Sequence, residues 1–251
     1  MRLGLIGAGN MASALARGLG EPAVVADVDR ARAEALAGEI GGEVADSNAA
    51  AAAQDVVILC HKPAQLGEVA REIRDEAGVV VSILGGVPVA AVEEAYPDRP
   101  VYRFMPSIPV EVRQGVVCYA PGARAAEGPE RDVLDLFGRL GTLVQIPESL
   151  MDAATAVMSC GPAFLALVTE ALVDAGVRHG LPQELAARMA VDTMAGTAAV
   201  LRERDLDTRE LRRRVTSPGG MTARGLAALE RGGVRTAFED AVTAVVEGGS
   251  R

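Results

Sequence analysis

Lysine is almost missing: of the 25 basic residues only Lys62 is a lysine, and all the others are arginine. Coding bias accounts for the depletion, so a lysine that persists against it points to a role that a guanidinium does not fill. Basic residues of both kinds are outnumbered, 25 against 34 acidic ones, for a net charge of -9 at pH 7. This balance argues against nucleic acid and anionic membrane as partners, because both need a basic face to displace counterions. A small, mobile ligand is the better expectation. Cysteine is scarce as well. Cys60, Cys118 and Cys160 are odd in number and lack the close spacing of a zinc site or disulfide framework. They read as small buried hydrophobes, and no metal is expected. The opening MRLGLIGAGNMA lacks the continuous apolar stretch of a signal peptide or membrane span, so a cytoplasmic location is expected.

What is present is core-forming material. With 49% hydrophobic residues, 251 residues suffice for one large domain or two smaller ones. Residues 2 to 6 read as a short buried strand, followed by a glycine-rich turn and a helical pattern from Met11 to Leu19. The alternation continues, with strands at Val24 to Asp27, Asp55 to Cys60, Val79 to Ser82 and Val101 to Phe104. Helical stretches fall at Asp29 to Leu36, Gln65 to Asp75 and Ala90 to Ala95. Strands alternating with helices imply a mainly parallel, doubly wound sheet, an α/β Rossmann domain over residues 1–147. After Gly141 to Ile146 the strand signals stop. Residues 148–251 read as all-helical, with Pro182 in the first turn of one helix and Asp207 with Glu210 as a capping box. Their apolar positions exceed what one layer of helices buries, so a homodimer with helices packed across a two-fold axis is expected.

Gly7-Ala8-Gly9-Asn10-Met11-Ala12 fits a dinucleotide-binding fingerprint. The first glycine permits the tight turn, the second lets backbone approach a pyrophosphate, and the small third residue packs helix on strand. The helix N-terminus that follows, at Asn10 and Met11, offers free N–H groups and partial positive charge to phosphate. Position gives the pattern its weight, since it follows the first strand directly and opens a helix. Asp27, about twenty residues after Gly7, is placed to accept from the adenosine ribose and so slightly favours NADH over NADPH. Arg30 and Arg32 argue the other way, as partners for a 2′-phosphate. Lys62 and Pro63 follow the most apolar strand, at the sheet edge where ligands of open α/β folds sit, and Lys62 is placed to reach a coenzyme phosphate or ribose. His61 reads as a surface ring more readily than as a proton donor.

The most distinctive run is Val215-Thr216-Ser217-Pro218-Gly219-Gly220-Met221-Thr222, ahead of a helical pattern from Ala223 to Glu230. Small residues before a helix leave several N–H groups unpaired, a seat for a carboxylate, and Ser217 and Thr222 add hydroxyls. Here the chain resembles the pyrroline-5-carboxylate reductase family. The likeness takes in the Gly7 to Ala12 fingerprint, Lys62-Pro63, Arg103-Phe104-Met105-Pro106, Gly161-Pro162-Ala163, Gly180-Leu181-Pro182 and the Ser-Pro-Gly-Gly-x-Thr core.

The resemblance implies metal-free reduction of the cyclic imine 1-pyrroline-5-carboxylate to L-proline, the last step of proline synthesis, by NADH or NADPH. It places the substrate carboxylate on the amides of Gly219, Gly220, Met221 and Thr222 with Ser217 assisting, and the Thr222 hydroxyl at the imine nitrogen. Both hydroxyls are thereby the candidate catalytic groups. It also implies dimers in which helices of two subunits complete each site, joined in some members into decamers. Two stretches depart from the family pattern. Met105-Pro106-Ser107-Ile108-Pro109 replaces Met-Pro-Asn-Thr-Pro, and Met158-Ser159-Cys160-Gly161-Pro162-Ala163-Phe164 replaces Ser-Gly-Ser-Gly-Pro-Ala-Tyr. Both lose polar groups, which suggests a drier pocket and keeps a different cyclic imine as an alternative substrate. A non-catalytic dinucleotide-binding protein is the rival from another class. A β-hydroxyacid dehydrogenase is disfavoured because the helical half holds no lysine.

Overall fold

The structure, a computed structural model, describes residues 1–205 and 207–249. The chain forms two compact units, one of Met1–Pro162 with the chain end from Val246, the other of Ala163–Val245.

The first unit runs β1 (Leu3–Ile6), α1 (Asn10–Leu19), β2 (Ala23–Ala26), α2 (Arg30–Ile40), β3 (Glu43–Val44), α3 (Asn48–Ala52), β4 (Val56–Leu59), α4 (Leu66–Ile73), β5 (Val80–Ser82), α5 (Val89–Ala95), β6 (Val101–Pro106), β7 (Gly115–Pro121), α6 (Glu130–Gly138) and β8 (Gly141–Gln145). The strands form one sheet in the order β3-β2-β1-β4-β5-β6-β7-β8. All neighbours pair in parallel except β6 with β7, which is antiparallel in a register that sets Phe104 opposite Tyr119. The expected Rossmann sheet is therefore present, with its order reversing between β1 and β4.

Every residue of β1 and β4 is buried, as continuous apolar runs in a sheet covered on both faces must be. The two-residue period of a strand sends alternate side chains to different cores. Leu3, Leu5, Val56, Ile58, Tyr102 and Phe104 face one core, closed by Leu15 and Leu19 of α1, Leu36 of α2 and Phe137 of α6. Ile6, Val57, Leu59 and Val101 face the other, closed by Ala51, Ile73 and Val92 of α3, α4 and α5.

Three elements go beyond the sequence reading. β3 is two partly exposed residues, too short to carry a period. β7 is an apolar run bounded by glycine and proline, itself a strand signal, that returns beside β6. α6 buries Val133, Leu136 and Phe137, the spacing of one helical face.

Strands end at Gln145, close to the expected boundary, yet residues up to Pro162 group with the sheet. The reason is a third core, in which Met151 packs with Met105, Cys118 and Ala120, joined by Ala154 and Met158. Met151 and Ala154 come from α7 (Met151–Ala154) and Met158 from the π-helical turn Thr155–Ser159 after it, while Met105 lies on β6 and Cys118 and Ala120 on β7.

The remaining helices are α8 (Gly161–Arg178), α9 (Gln183–Glu203), α10 (Thr208–Arg214), α11 (Met221–Arg231) and α12 (Val234–Gly249). Pro182 caps α9, and the Asp207 carboxylate accepts from the N–H groups of Arg209 and Glu210 to start α10. Apolar side chains stay uncovered here, Leu165 at 49%, Leu167 at 66% and Leu172 at 58% exposed. The stretch Glu148–Arg178 contains an 18-residue window with a mean hydropathy of 1.7 and is long and apolar enough to cross a membrane by length and composition, a property shared by helices inside soluble proteins.

Aromatic rings stack within the core of the first unit. Phe137 is fully buried and stacks on Phe104 with ring centroids 3.9 Å apart, and Phe104 in turn stacks on Tyr119 at 4.8 Å. Replacing Phe137→Ala leaves a ring-sized void and is expected to cost about 3–5 kcal/mol in urea denaturation. A loss below about 1 kcal/mol would mean that this face repacks freely.

Candidate active site

The fingerprint turn joins β1 to α1. Gly7 has φ of +107°, and a Cβ there would lie 2.7 Å from the Cys60 carbonyl, so both conformation and space demand glycine. Its N–H donates to the Ala26 carbonyl at 2.8 Å, which ties the turn to β2. Gly9 is the N-cap of α1 without a side-chain cap, and nothing lies within 4 Å of where its Cβ would be. The first N–H groups of α1, at Asn10 and Met11, thus open onto free space. Ala12 is 1% exposed and fills the small position against the sheet.

A cleft of about 810 Å³ opens at this turn. Its lining includes Gly7, Gly9, Asn10, Met11 and Ala12, together with Asp27, Lys62 and Pro63. The structure brings together every residue read from sequence as coenzyme-binding. Lys62 is exposed, and its ammonium forms no ion pair among the described residues, a free cation at the edge of the cleft. Unpaired N–H groups, open space above Gly9 and that cation are the features a pyrophosphate requires, so the cleft fits a dinucleotide. Ile83, Leu84 and Gly85, in the loop after β5, form a wall that the sequence reading did not include.

The structure also gives Asp27 a second task. Its Oδ2 accepts from Ala8 N–H at 2.6 Å and its Oδ1 from Asp29 N–H at 2.8 Å. The carboxylate therefore stitches the fingerprint turn to the end of β2, with a second lone pair remaining on each oxygen. Of the two arginines, Arg32 lines the cleft and pairs with Asp29 at 3.2 Å, while Arg30 turns to Glu34 at 2.9 Å.

In the second unit, Ser217 to Gly220 form a turn closed by a 3.0 Å hydrogen bond from Gly220 N–H to the Ser217 carbonyl, with Gly219 at φ +69°. Gly220 caps α11 without a side-chain bond, and a Cβ there would meet Ser217 Oγ at 2.3 Å. Thr222 is the second residue of α11, and its hydroxyl and that of Ser217 are exposed. Gly220 N–H is engaged inside the turn, while Met221 and Thr222 occupy the first turn of a helix, where N–H groups have no helical acceptor.

The Ser107 departure has a structural outlet. Ser107 is 2% exposed, its Oγ donates to the Val116 carbonyl at 3.1 Å and accepts from Val116 N–H at 2.9 Å. Its hydroxyl serves β7 and is absent from the lining of the cleft.

His61 lines the cleft and is half-buried, with Nδ1 2.9 Å from the Lys62 carbonyl. A carbonyl only accepts, so Nδ1 carries the proton, and Nε2 is a lone pair buried without a partner. Desolvation holds the imidazole below its usual value, partly opposed by the Lys62 carbonyl bond. His61 is thereby a neutral ring rather than a proton donor. As pH falls through about 6.5 the unfolded chain gains a proton here before the folded one, so stability is lost on acidification. Urea denaturation between pH 7.5 and 5.5 is expected to show a steeper loss for the natural chain than for His61→Asn. Equal slopes would place the ring in water.

Comparison with known proteins bears on the whole chain. Residues 148–250 match the family model for pyrroline-5-carboxylate reductase dimerisation, and residues 2–86 match the model described as NADP oxidoreductase, coenzyme F420-dependent. The pyrroline-5-carboxylate reductase of Synechocystis is 36% identical over 97% of this chain and 95% of its own length; that of Methanosarcina acetivorans is 36% identical over 96% and 94%. Among solved structures, pyrroline carboxylate reductase of Plasmodium falciparum with NADP bound superposes with a TM-score of 0.89 at 29% identity, covering 100% of this chain and 97% of that one. The enzyme of Streptococcus pyogenes does so with 0.92 at 27%, covering 100% and 98%. Kinship at this identity over nearly the full length shows that the chain belongs to the pyrroline-5-carboxylate reductase family.

Proposed function

We infer that this chain reduces 1-pyrroline-5-carboxylate to L-proline, with NADH or NADPH as the reductant. The observation that carries this reading is the near full-length identity to reductases of that name, in a chain that keeps both the fingerprint cleft and the Ser217 to Thr222 run. Support for the division of labour comes from the span of the dimerisation match, 148–250, which agrees with a coenzyme domain over 1–147 and a substrate and dimerisation domain over 148–251. The uncovered leucines of α8 support a homodimer, because such a face is stable in water only when a partner covers it.

Gly7, Gly9, Asn10, Met11 and Ala12 would seat the pyrophosphate on the N-terminus of α1, with Lys62 and Pro63 at the rim of the cleft. Ser217, Gly219, Gly220, Met221 and Thr222 would hold the substrate carboxylate at the start of α11, with Gly220 supplying room beside Ser217. The Thr222 hydroxyl would meet the imine nitrogen and hold its proton while the ring carbon is reduced. The reduced nicotinamide supplies the hydride. Protonation alone makes the imine carbon electrophilic, so the protein's part is to align two rings and exclude water.

Coenzyme choice follows from the adenosine end. The Asp27 carboxylate lies in the cleft, and both nearby arginines are already paired with acids, which together favour NADH over a 2′-phosphorylated coenzyme. We expect kcat/KM to be higher with NADH than with NADPH; a strong preference for NADPH would overturn this role of Asp27. Steady-state assays with 1-pyrroline-5-carboxylate, 1-piperideine-2-carboxylate and a 2-oxo acid test the reaction itself. Turnover only with the larger ring would move the substrate within the class, and coenzyme binding without turnover on any of them would favour a binding protein. Thr222→Ala is expected to lower kcat about 10- to 100-fold with coenzyme affinity unchanged, the scale of one hydrogen bond to a charged group. Unchanged turnover would place that hydroxyl away from the imine.

A further inference from the structure

A partly buried ion pair lies apart from the residues assigned to either site. Arg103, in the middle of β6, has a side chain only 4% exposed, and its Nη1 donates to Glu148 Oε1. The same Oε1 accepts from Val89 N–H, the first residue of α5, at 2.8 Å. Arg103 Nε and Glu148 Oε2 are buried without partners, so the pair is not optimised as a source of stability. Buried pairs of this kind often add no stability over apolar residues of the same size. Their retained use is to fix one arrangement of the elements they join.

The elements joined here bear on the cleft. Val89 ends the loop that follows β5, and Ile83, Leu84 and Gly85 of that loop wall the cleft. Within the loop, Ile83 N–H donates to the Leu59 carbonyl at 3.2 Å and Leu84 N–H to the Ser82 hydroxyl at 3.3 Å, while Gly85-Gly86, with Gly86 at φ +72°, form its most freely jointed part. Its far end is held where Val89 N–H meets Glu148. Glu148 is in turn fixed by Arg103, and the segment after it is tied to the end of β6 by a 3.3 Å bond from the Ser159 hydroxyl to the Pro106 carbonyl.

We propose that Glu148 is a positioning residue for coenzyme binding: held by Arg103, it anchors the Leu84–Pro88 loop through Val89 N–H and so shapes the cleft wall. The proposal rests on the reading of this cleft as the coenzyme site. It acts on binding of the dinucleotide and leaves the substrate contacts at Ser217 to Thr222 untouched.

The double variant Arg103→Met/Glu148→Leu separates positioning from stability, because it removes both charges, keeps apolar volume and deletes the acceptor for Val89 N–H. Fluorescence titration with NADH and NADPH is expected to show about tenfold weaker binding of the preferred coenzyme, on the scale of one lost buried hydrogen bond. The melting temperature should stay within a few degrees of the natural chain. In turnover, KM for coenzyme should rise while KM for the cyclic imine stays the same. A folded double variant that binds coenzyme within twofold of the natural chain would overturn the proposal. If the double variant does not fold, Glu148→Gln against Glu148→Leu decides: Gln keeps an oxygen for Val89 N–H and Leu does not, so affinity within about threefold of the natural chain for Gln with about a tenfold loss for Leu supports the anchor, and equal affinities of the two folded variants refute it. Failure of the natural chain to bind either coenzyme would instead defeat the reading of the cleft.

Discussion

The first unit depends on the convergence of three strand ends at one glycine. Gly7 turns out of β1 with a backbone that L-residues rarely adopt, close against the carbonyl of Cys60 at the end of β4. Its N–H is bonded to β2, the next N–H to Asp27, and Cys60 N–H to the Ile6 carbonyl. Central strands β1, β2 and β4 are thereby registered at the same edge at which α1 begins. A side chain at position 7 would collide with the backbone of Cys60 and His61 at the end of β4. Fold and binding capacity are the same constraint at this point, since the turn that completes the sheet also leaves the N–H groups of α1 unpaired.

Around that point the chemistry is sparse by design of the coenzyme. The described residues hold no cluster of three metal-ligating side chains, and burial pushes the thiols of Cys60 and Cys118 up, away from reactive thiolates. His61 is kept neutral beside Lys62. What the first unit offers at this turn is open N–H groups and one lysine whose ammonium forms no ion pair among the described residues. Ser107, one of the departures from the family pattern, is absorbed into structure, its hydroxyl serving both backbone groups of Val116.

Most of the sheet was legible because it is buried on both faces. Val56-Val57-Ile58-Leu59 is short, rich in β-branched residues and wholly apolar, which favours a core strand, and the fingerprint glycines follow the first strand at a spacing that has few other uses. β3 was not legible, since two half-exposed residues carry no period; they are a strand only because β2 offers a free edge. Ser217 to Thr222 could be read as a helix start bearing hydroxyls, and α11 does begin at Met221. That Gly220 N–H is already bonded within its turn was not legible, because it depends on the left-handed backbone of Gly219.

By itself the sequence determined most of the strands and helices of the first unit, the glycine turn after β1, the switch to helices after Gln145 and, through its motifs, the family. These are local properties, set by periodicity and by residues that permit only certain backbone angles. Tertiary structure alone decided the antiparallel return of β7, the double use of Asp27 and the joining of Arg103, Glu148 and Val89, residues scattered between positions 89 and 148. Such pairings depend on which strands become neighbours. That choice follows from the burial of whole faces and leaves no mark in the spacing of any one segment.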